Sequence, residues 1–396
     1  MAPSKTAGLI IFSPFITAFG GVERLILQLS SYLNANGHTH TVLTFSNSAR
    51  IEANADWPVR VVELAGPRNT FSEMLRLRTW LNENSVQGPG APKILVFDLR
   101  GAFYMAPVSR GFVVHLTDPP SMLSQDTSKF AFSLKGHRKN ANAREPVSNA
   151  KRIRAQVIHQ INSRGVRKAA RVIVMTNRIA QEIRDLYHVD PVLIRPGIEP
   201  PTSRGNGAKS GGCLRMLSIS RLVPSKRVEW ILDAAAALDD SSYKQNEWEL
   251  TIVGDGPSKD SLLRHAARLG ISDRIRWMGV VSEEILEQAY DDATIFLMPA
   301  AQGWGLPAME ALARGKPVVM HDASGVAEIL AGSPWIEIAS GENPSDFAAA
   351  TRRMISRLHE LVNSNPPSLP TAEEWAEQIC RTCGWLDHPR EHKTDG

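Results

Sequence analysis

The sequence predicts an α/β protein made of two doubly wound domains, each a parallel sheet covered by helices on both faces. Three observations predict this. The chain has 396 residues, more than one ordinary core accommodates. Short apolar runs alternate with amphipathic helical stretches, the pattern of a parallel sheet. The alternation breaks at a Pro-, Gly- and Ser-rich stretch, Pro200 to Gly212, and then restarts.

In the first half, Leu9 to Phe12 reads as a buried strand. Lys5 and the run from Gly8 to Phe12 could pass for a secretion signal, but Pro14 interrupts the run and an amphipathic helix comes directly after it, so a strand is expected. Gly20-Gly21 opens that helix, whose apolar positions Val22, Leu25, Ile26, Leu29, Tyr32 and Leu33 keep the 3.6-residue period. Gly37 stops it. Further strands are expected at Thr41 to Phe45, Ile94 to Phe97, Gly111 to His115 and Val172 to Thr176.

In the second half, strands are expected at Leu214 to Ile219, Leu250 to Val253, Ile275 to Met278, Ile295 to Met298 and Val318 to Met320. Helices between them run from Arg227 to Leu238, from Lys259 to Gly270, around Ile285 and from Leu306. A last amphipathic helix covers Ala372 to Leu386. The expected division is residues 1–198 for the first domain, 199–212 for the linker, 213–366 for the second domain and 367–390 for a terminal helix that crosses back toward the first.

The composition, 43% hydrophobic and 22% charged, is that of a soluble globular protein. Three cysteines make no disulfide framework, and Cys380 and Cys383 read as ordinary helix residues rather than metal or redox ligands. No apolar run approaches the roughly eighteen residues that span a bilayer. A cytoplasmic location is expected, peripheral at the inner face of the membrane.

The net charge of +4 is unevenly placed. Between Ser133 and Arg171 there are eleven Lys/Arg and one acid, Glu145. This segment carries +10, so the rest of the chain sums to −6. A local anionic partner is therefore expected at 135–171, a membrane surface or a phosphorylated acceptor. Around Ile153, Val157, Ile158 and Ile161 the spacing fits one helical face flanked by Lys151, Arg152, Arg154 and Arg164. No Phe, Trp or Tyr accompanies the charge, which argues against a nucleic-acid partner. The alternative is a solvated basic face with no partner.

In open parallel sheets the ligand sits beyond the carboxyl ends of the strands. Four loops of the second domain lie there. The first carries Ser220-Arg221-Leu222 and Lys226, the second Gly254-Asp255-Gly256-Pro257, the third Gly279-Val280. The fourth runs Gln302-Gly303-Trp304-Gly305-Leu306-Pro307 into a helix that carries Glu310. Arg, Lys and a helix N-terminus meeting in one crevice suit a diphosphate, and Glu310 is placed to accept from ribose hydroxyls. Arg314-Gly315-Lys316 is no phosphate-binding Walker loop, since that motif requires Gly and Ser/Thr where Glu310 and Pro317 stand. No Asp-x-Asp occurs, so no metal site of that type is expected.

Taken in order, Gly20-Gly21-Val22-Glu23, Arg195-Pro196-Gly197-Ile198, Ser220-Arg221-Leu222, Lys226, Val253 to Pro257, Gly279 and Gly303-Trp304-Gly305-Leu306-Pro307 to Glu310 resemble family 4 of the retaining glycosyltransferases. The resemblance covers nearly the whole chain. It implies the GT-B fold, two Rossmann-like domains facing a central cleft. It also implies metal-independent transfer of a sugar from a nucleotide-diphosphate donor, UDP- or GDP-sugar, to a carbohydrate or lipid-linked acceptor, with no further cofactor. Arg221 and Lys226 would hold the diphosphate and Glu310 the ribose. The amides of Gly303, Trp304, Gly305 and Leu306 would meet phosphate and sugar, and Gly254 and Val280 would flank the base. Gly20 and Gly21 would close on donor or acceptor, and His115, at a strand end, resembles the family histidine that borders the transferred sugar. The family carries two acids eight positions apart. Here the first is Gln302, which keeps an acceptor oxygen but loses the carboxylate and puts the usual donor sugar in question. A sugar-nucleotide epimerase and a non-catalytic nucleotide-sugar binder are the competing readings.

Overall fold

The computed structural model describes residues 8–17, 20–55, 57–84, 93–108, 111–123, 149–201, 212–238, 248–362 and 364–386. The chain divides into two compact units, Met1–Gly197 with Ala372–Gly396, and Ile198–Thr371.

The first unit runs β1 (Leu9–Phe12), α1 (Gly21–Ala35), β2 (His40–Thr44), β3 (Val61–Glu63), α2 (Thr70–Glu83), β4 (Ile94–Phe97), α3 (Asp98–Met105), β5 (Val113–Leu116), α4 (Pro120–Leu123), α5 (Asn149–Lys168), β6 (Arg171–Val174), α6 (Asn177–Tyr187) and β7 (Val192–Leu193). Its strands form one sheet in the order β3-β2-β1-β4-β5-β6-β7, parallel throughout. The order reverses between β1 and β4, so the loops after these neighbours diverge and leave a crevice at their carboxyl ends. β4 is buried along its whole length, as apolar strands covered on both faces are.

The second unit runs β8 (Leu214–Ile219), α7 (Val228–Ala236), β9 (Trp248–Val253), α8 (Lys259–Arg268), β10 (Ile275–Gly279), α9 (Glu283–Asp292), β11 (Ile295–Met298), α10 (Leu306–Ala313), β12 (Val318–His321), α11 (Ala327–Leu330), β13 (Ile336–Ala339) and α12 (Pro344–Leu361). Its sheet order is β10-β9-β8-β11-β12-β13, again parallel throughout, with the reversal between β8 and β11. Ile198 N–H donates to Pro370 O at 3.1 Å and pairs with Thr371, so the chain enters and leaves this unit at one place.

Three strands were not anticipated, β3, β7 and β13. All lie at sheet edges, and β3 and β7 have no fully buried residue, so they carry little apolar signal. The unit boundaries fall at 197/198 and 371/372, rather than at 198 and 366, and residues 202–211 of the expected linker lie outside the described residues.

The terminal helix α13 (Ala372–Cys383) belongs to the first unit, where it packs on α1. Its stripe of Trp375, Ala376, Ile379, Cys380 and Cys383 is buried. Both cysteines are free. Burial pushes the Cys380 thiol up to about 12 and also raises Cys383 well above the usual thiol value, so neither is a thiolate at neutral pH.

Much of the basic segment, residues 124–148, lies outside the described residues; its remainder forms α5. Gly165 lets α5 approach α3, since a Cβ there would stand 2.0 Å from Ala102 O. Ile158 and Val166 are buried, whereas Ile153 and Val157 are 61% and 47% exposed. The spacing read as one apolar face is therefore split: Ile158 belongs to the core, and Ile153 and Val157 form an outer pair one turn apart.

Candidate active site

The loops beyond the second sheet are tied in a row by main-chain hydrogen bonds that continue past the strand ends. Gly254 N–H donates to Gly279 O at 2.7 Å, Ser220 N–H to Val253 O at 3.0 Å and Leu222 N–H to Asp255 O at 2.9 Å. Ala301 N–H donates to Ser225 O at 3.0 Å and Gln302 N–H to Ala323 O at 3.2 Å. The residues singled out in four separate stretches of sequence thus share one edge of one unit. The glycines make this possible. Gly254 has φ +124°, and a Cβ there would lie 1.9 Å from Ser220 O. A Cβ at Gly256 would lie 2.4 Å from Leu222 O. The loop bearing Arg221 is therefore packed directly on the backbone of the Gly-Asp-Gly turn.

Arg221 is exposed, and its side chain forms no ion pair or hydrogen bond among the described residues. Lys226 ends a short 3₁₀ turn, Pro224–Lys226, and its Nζ donates to Gln302 Oε1 across the switch point. Val280 is 83% exposed at the rim, an apolar side chain available to a flat ligand. Gly303, Trp304, Gly305 and Leu306 are buried. A Cβ at Gly305 would stand 2.8 Å from Val326 Cγ1 and 3.0 Å from Ser324 Oγ, so the approach to α10 requires glycine. Among the described residues the N–H groups of Trp304, Gly305 and Leu306 find no acceptor. Together with the start of α10 they form a set of donors suited to an anion. Glu310, one turn into α10, accepts from Tyr290 Oη at 2.8 Å through Oε2, and this fixes its carboxylate.

In the first unit Gly20 caps α1 with extended backbone (φ −153°) and Gly21 opens the helix. A Cβ at Gly21 would meet nothing within 4 Å. His115 lies inside β5, fully buried, with its ring 5.2 Å from that of Phe97 and 6.0 Å from that of Trp375. Neither ring nitrogen has a hydrogen-bond partner, and burial lowers its pKa to about 3, so the ring is neutral.

Asp98 escaped the sequence reading. It follows β4 at the reversal of the first sheet with left-handed backbone, φ +63°. Thr117, just beyond β5, donates to Asp98 Oδ1 from both its N–H, at 3.2 Å, and its hydroxyl. Burial, reinforced by Asp118, raises the Asp98 pKa to about 7 against the opposing Thr117 bonds. An aspartate after a strand is commonplace in sequence; only the fold sets it at a switch point.

Two doubly wound units, one with Arg221, Lys226 and the amides of Trp304 to Leu306 at the ends of its central strands, define a two-domain α/β protein. The family model described as Glycosyltransferase Family 4 matches residues 19–200, and that described as Glycosyl transferases group 1 matches 214–357. The chain belongs to glycosyltransferase family 4, and its fold is GT-B. A D-inositol 3-phosphate glycosyltransferase of Catenulispora acidiphila is 30% identical over 213 residues, 49% of this chain and 50% of that protein. The chain spans about half the length of the curated relatives it matches. Among solved structures, Anabaena Alr3699/HepE in complex with UDP and glucose has TM-score 0.66 at 17% identity, covering 96% of this chain and 100% of that one. WaaG, a glycosyltransferase involved in lipopolysaccharide biosynthesis, has TM-score 0.65 at 18% identity, covering 96% and 95%.

Proposed function

We propose that the protein is a retaining, metal-independent glycosyltransferase that moves a sugar from a UDP- or GDP-sugar to a hydroxyl of a carbohydrate or lipid-linked acceptor. The observation that carries this reading is the shared edge of the second unit, where Arg221, Lys226 and the unpaired amides of Trp304 to Leu306 converge. When the bond from the anomeric carbon to the diphosphate oxygen breaks, negative charge grows on the diphosphate. Cations and fixed amide dipoles placed there stabilise that charge more in the transition state than in the bound donor. The acceptor oxygen bonds to the anomeric carbon on the same face and its proton passes to a diphosphate oxygen, so no side-chain base is needed. Glu310, already oriented by Tyr290, takes the ribose, and Val280 with Gly254 borders the base. His115 is fully buried in β5 against Phe97 and Trp375, so the expectation that it borders the transferred sugar does not fit its place in the core, and the first unit's remaining candidates are Gly20 and Gly21 at the start of α1. The crystal of Alr3699/HepE with UDP and glucose and the naming of relatives as inositol phosphate glycosyltransferases support this reading.

The reading includes action at the cytoplasmic face of an anionic membrane, with residues 135–171 as the contact. No helix among the described residues is long and apolar enough to cross a membrane. The exposed pair Ile153 and Val157 supports a peripheral contact.

A thermal-shift panel of UDP-, GDP- and ADP-sugars tests the proposal. A ligand at 100 times its Kd should add about 2.7 kcal/mol of stability, and the stabilising donor should be consumed in the presence of an acceptor. Binding without turnover would favour the non-catalytic reading; conversion of the sugar without an acceptor would favour the epimerase.

A further inference from the structure

Gln302 is clamped through both its main chain and its side chain. Its N–H donates to Ala323 O at 3.2 Å and its carbonyl accepts from Gly325 N–H at 3.0 Å. Its side-chain Oε1 accepts from Lys226 Nζ, while Nε2 donates to Met298 Sδ at 3.1 Å and to Ser324 Oγ at 3.4 Å. Ser324 Oγ in turn donates its only proton to Trp304 O at 2.7 Å. The donors thus run one way, from Lys226 to Gln302 to Ser324 to the Trp304 carbonyl. The amide cannot be reversed, because an NH₂ facing the ammonium would set donor against donor. This chain joins the loops after β8, β11 and β12.

We propose that Gln302 is a positioning residue for Lys226, holding the ammonium at the diphosphate site without neutralising it, so that residue 302 governs diphosphate recognition rather than recognition of the transferred sugar. A carboxylate in this place would also hold Lys226, but as a counter-ion that competes with the diphosphate for the ammonium. It would also face Ser324, which has no proton left to donate, and Met298, which has none at all. The carboxamide is the group of this length that accepts from Lys226 and donates to both others. The inference rests on reading this crevice as the diphosphate site.

Isothermal titration calorimetry on the full chain tests it, using UDP, GDP and ADP and the glucose conjugate of whichever binds best. Gln302→Ala and Gln302→Glu are each expected to weaken the free diphosphate and its conjugate by the same factor, about tenfold or more. Ser324→Ala should weaken both in the same direction by less, as Gln302 loses one of its anchors. In Gln302→Glu the alkaline limb of diphosphate binding should move to higher pH, because a carboxylate partner raises the Lys226 pKa. A purely structural role would leave that limb in place. A loss confined to the glucose conjugate would overturn the inference and make Gln302 a sugar reader. Unchanged binding in folded variants would overturn it as well. If the wild type binds none of the three diphosphates, the functional reading of the crevice fails instead.

Discussion

Thr117 and Asp98 tie the carboxyl ends of β5 and β4 together, with the Thr117 N–H and hydroxyl both directed at Asp98 Oδ1. The aspartate is held there in left-handed backbone at φ +63°, a conformation that costs about 1–2 kcal/mol for a residue with a Cβ. Strain of this kind is kept where the surrounding structure over-determines it, often at functional sites.

The Asp98 carboxyl titrates at about 7 in the folded protein against 3.8 normally. Between these values the native state keeps a proton that the unfolded chain has released. Stability therefore falls as pH rises from about 4 to about 7, by up to about 4 kcal/mol, and levels off above. Asp98→Asn preserves the acceptor for Thr117 and tolerates left-handed backbone, so it should be more stable than the wild type at pH 8 and lose that advantage at pH 4. Urea denaturation at both pH values measures this. An equal difference at the two would refute the buried-acid assignment.

Gly254→Ala should destabilise the second unit by about 3 kcal/mol or more, because the new methyl group would meet Ser220 O at 1.9 Å on backbone that already has φ +124°. Gly279→Ala has left-handed backbone, φ +65°, but open space around the Cβ. It should cost only about 1 kcal/mol. Thermal unfolding of the two variants side by side checks the contrast, and similar midpoints would contradict the close loop packing.

Arg221→Ala and Lys226→Ala should each lower turnover by about 10²–10³ while the unfolding midpoint changes little, since each removes a donor to the developing diphosphate charge. Arg221 forms no internal ion pair among the described residues, so its removal leaves no buried partner stranded. Near-normal kcat in either folded variant would remove it from the diphosphate site.

Binding to anionic vesicles should require acidic lipid and fall steeply with salt, since the apolar contribution is limited to side chains such as Ile153 and Val157. Replacing Lys151, Arg152 and Arg154 together with Gln should reduce it by about 1 kcal/mol per residue removed. Liposome co-sedimentation at low salt is the measurement; protein that stays in the supernatant would refute the membrane contact.

Much of this was legible in the sequence because the signals are local. Leu9 to Phe12, Ile94 to Phe97, Leu214 to Ile219 and Ile295 to Met298 are strands at the residues where apolar runs placed them, since the central strands of a sheet covered on both faces are largely apolar. Gly254 and Gly305 stood out in the sequence as loop glycines, but only the fold shows the close backbone and side-chain approaches they permit. Sheet order is a different kind of fact. That β1 lies beside β4 and β8 beside β11 depends on crossovers that bring distant segments together, and no periodicity encodes it. Hence Asp98 became visible only once β4 stood at a reversal. The contact made by Gln302 was hidden for the same reason: read alone, it was a lost carboxylate, and only folding sets its amide against Lys226, 76 residues earlier in the chain. Hydrophobic pattern determined the central strands and the amphipathic helices, whereas tertiary pairing added the edge strands β3, β7 and β13 and long-range packing decided which side chains met, because a hydrogen bond depends on distance in space and not along the chain.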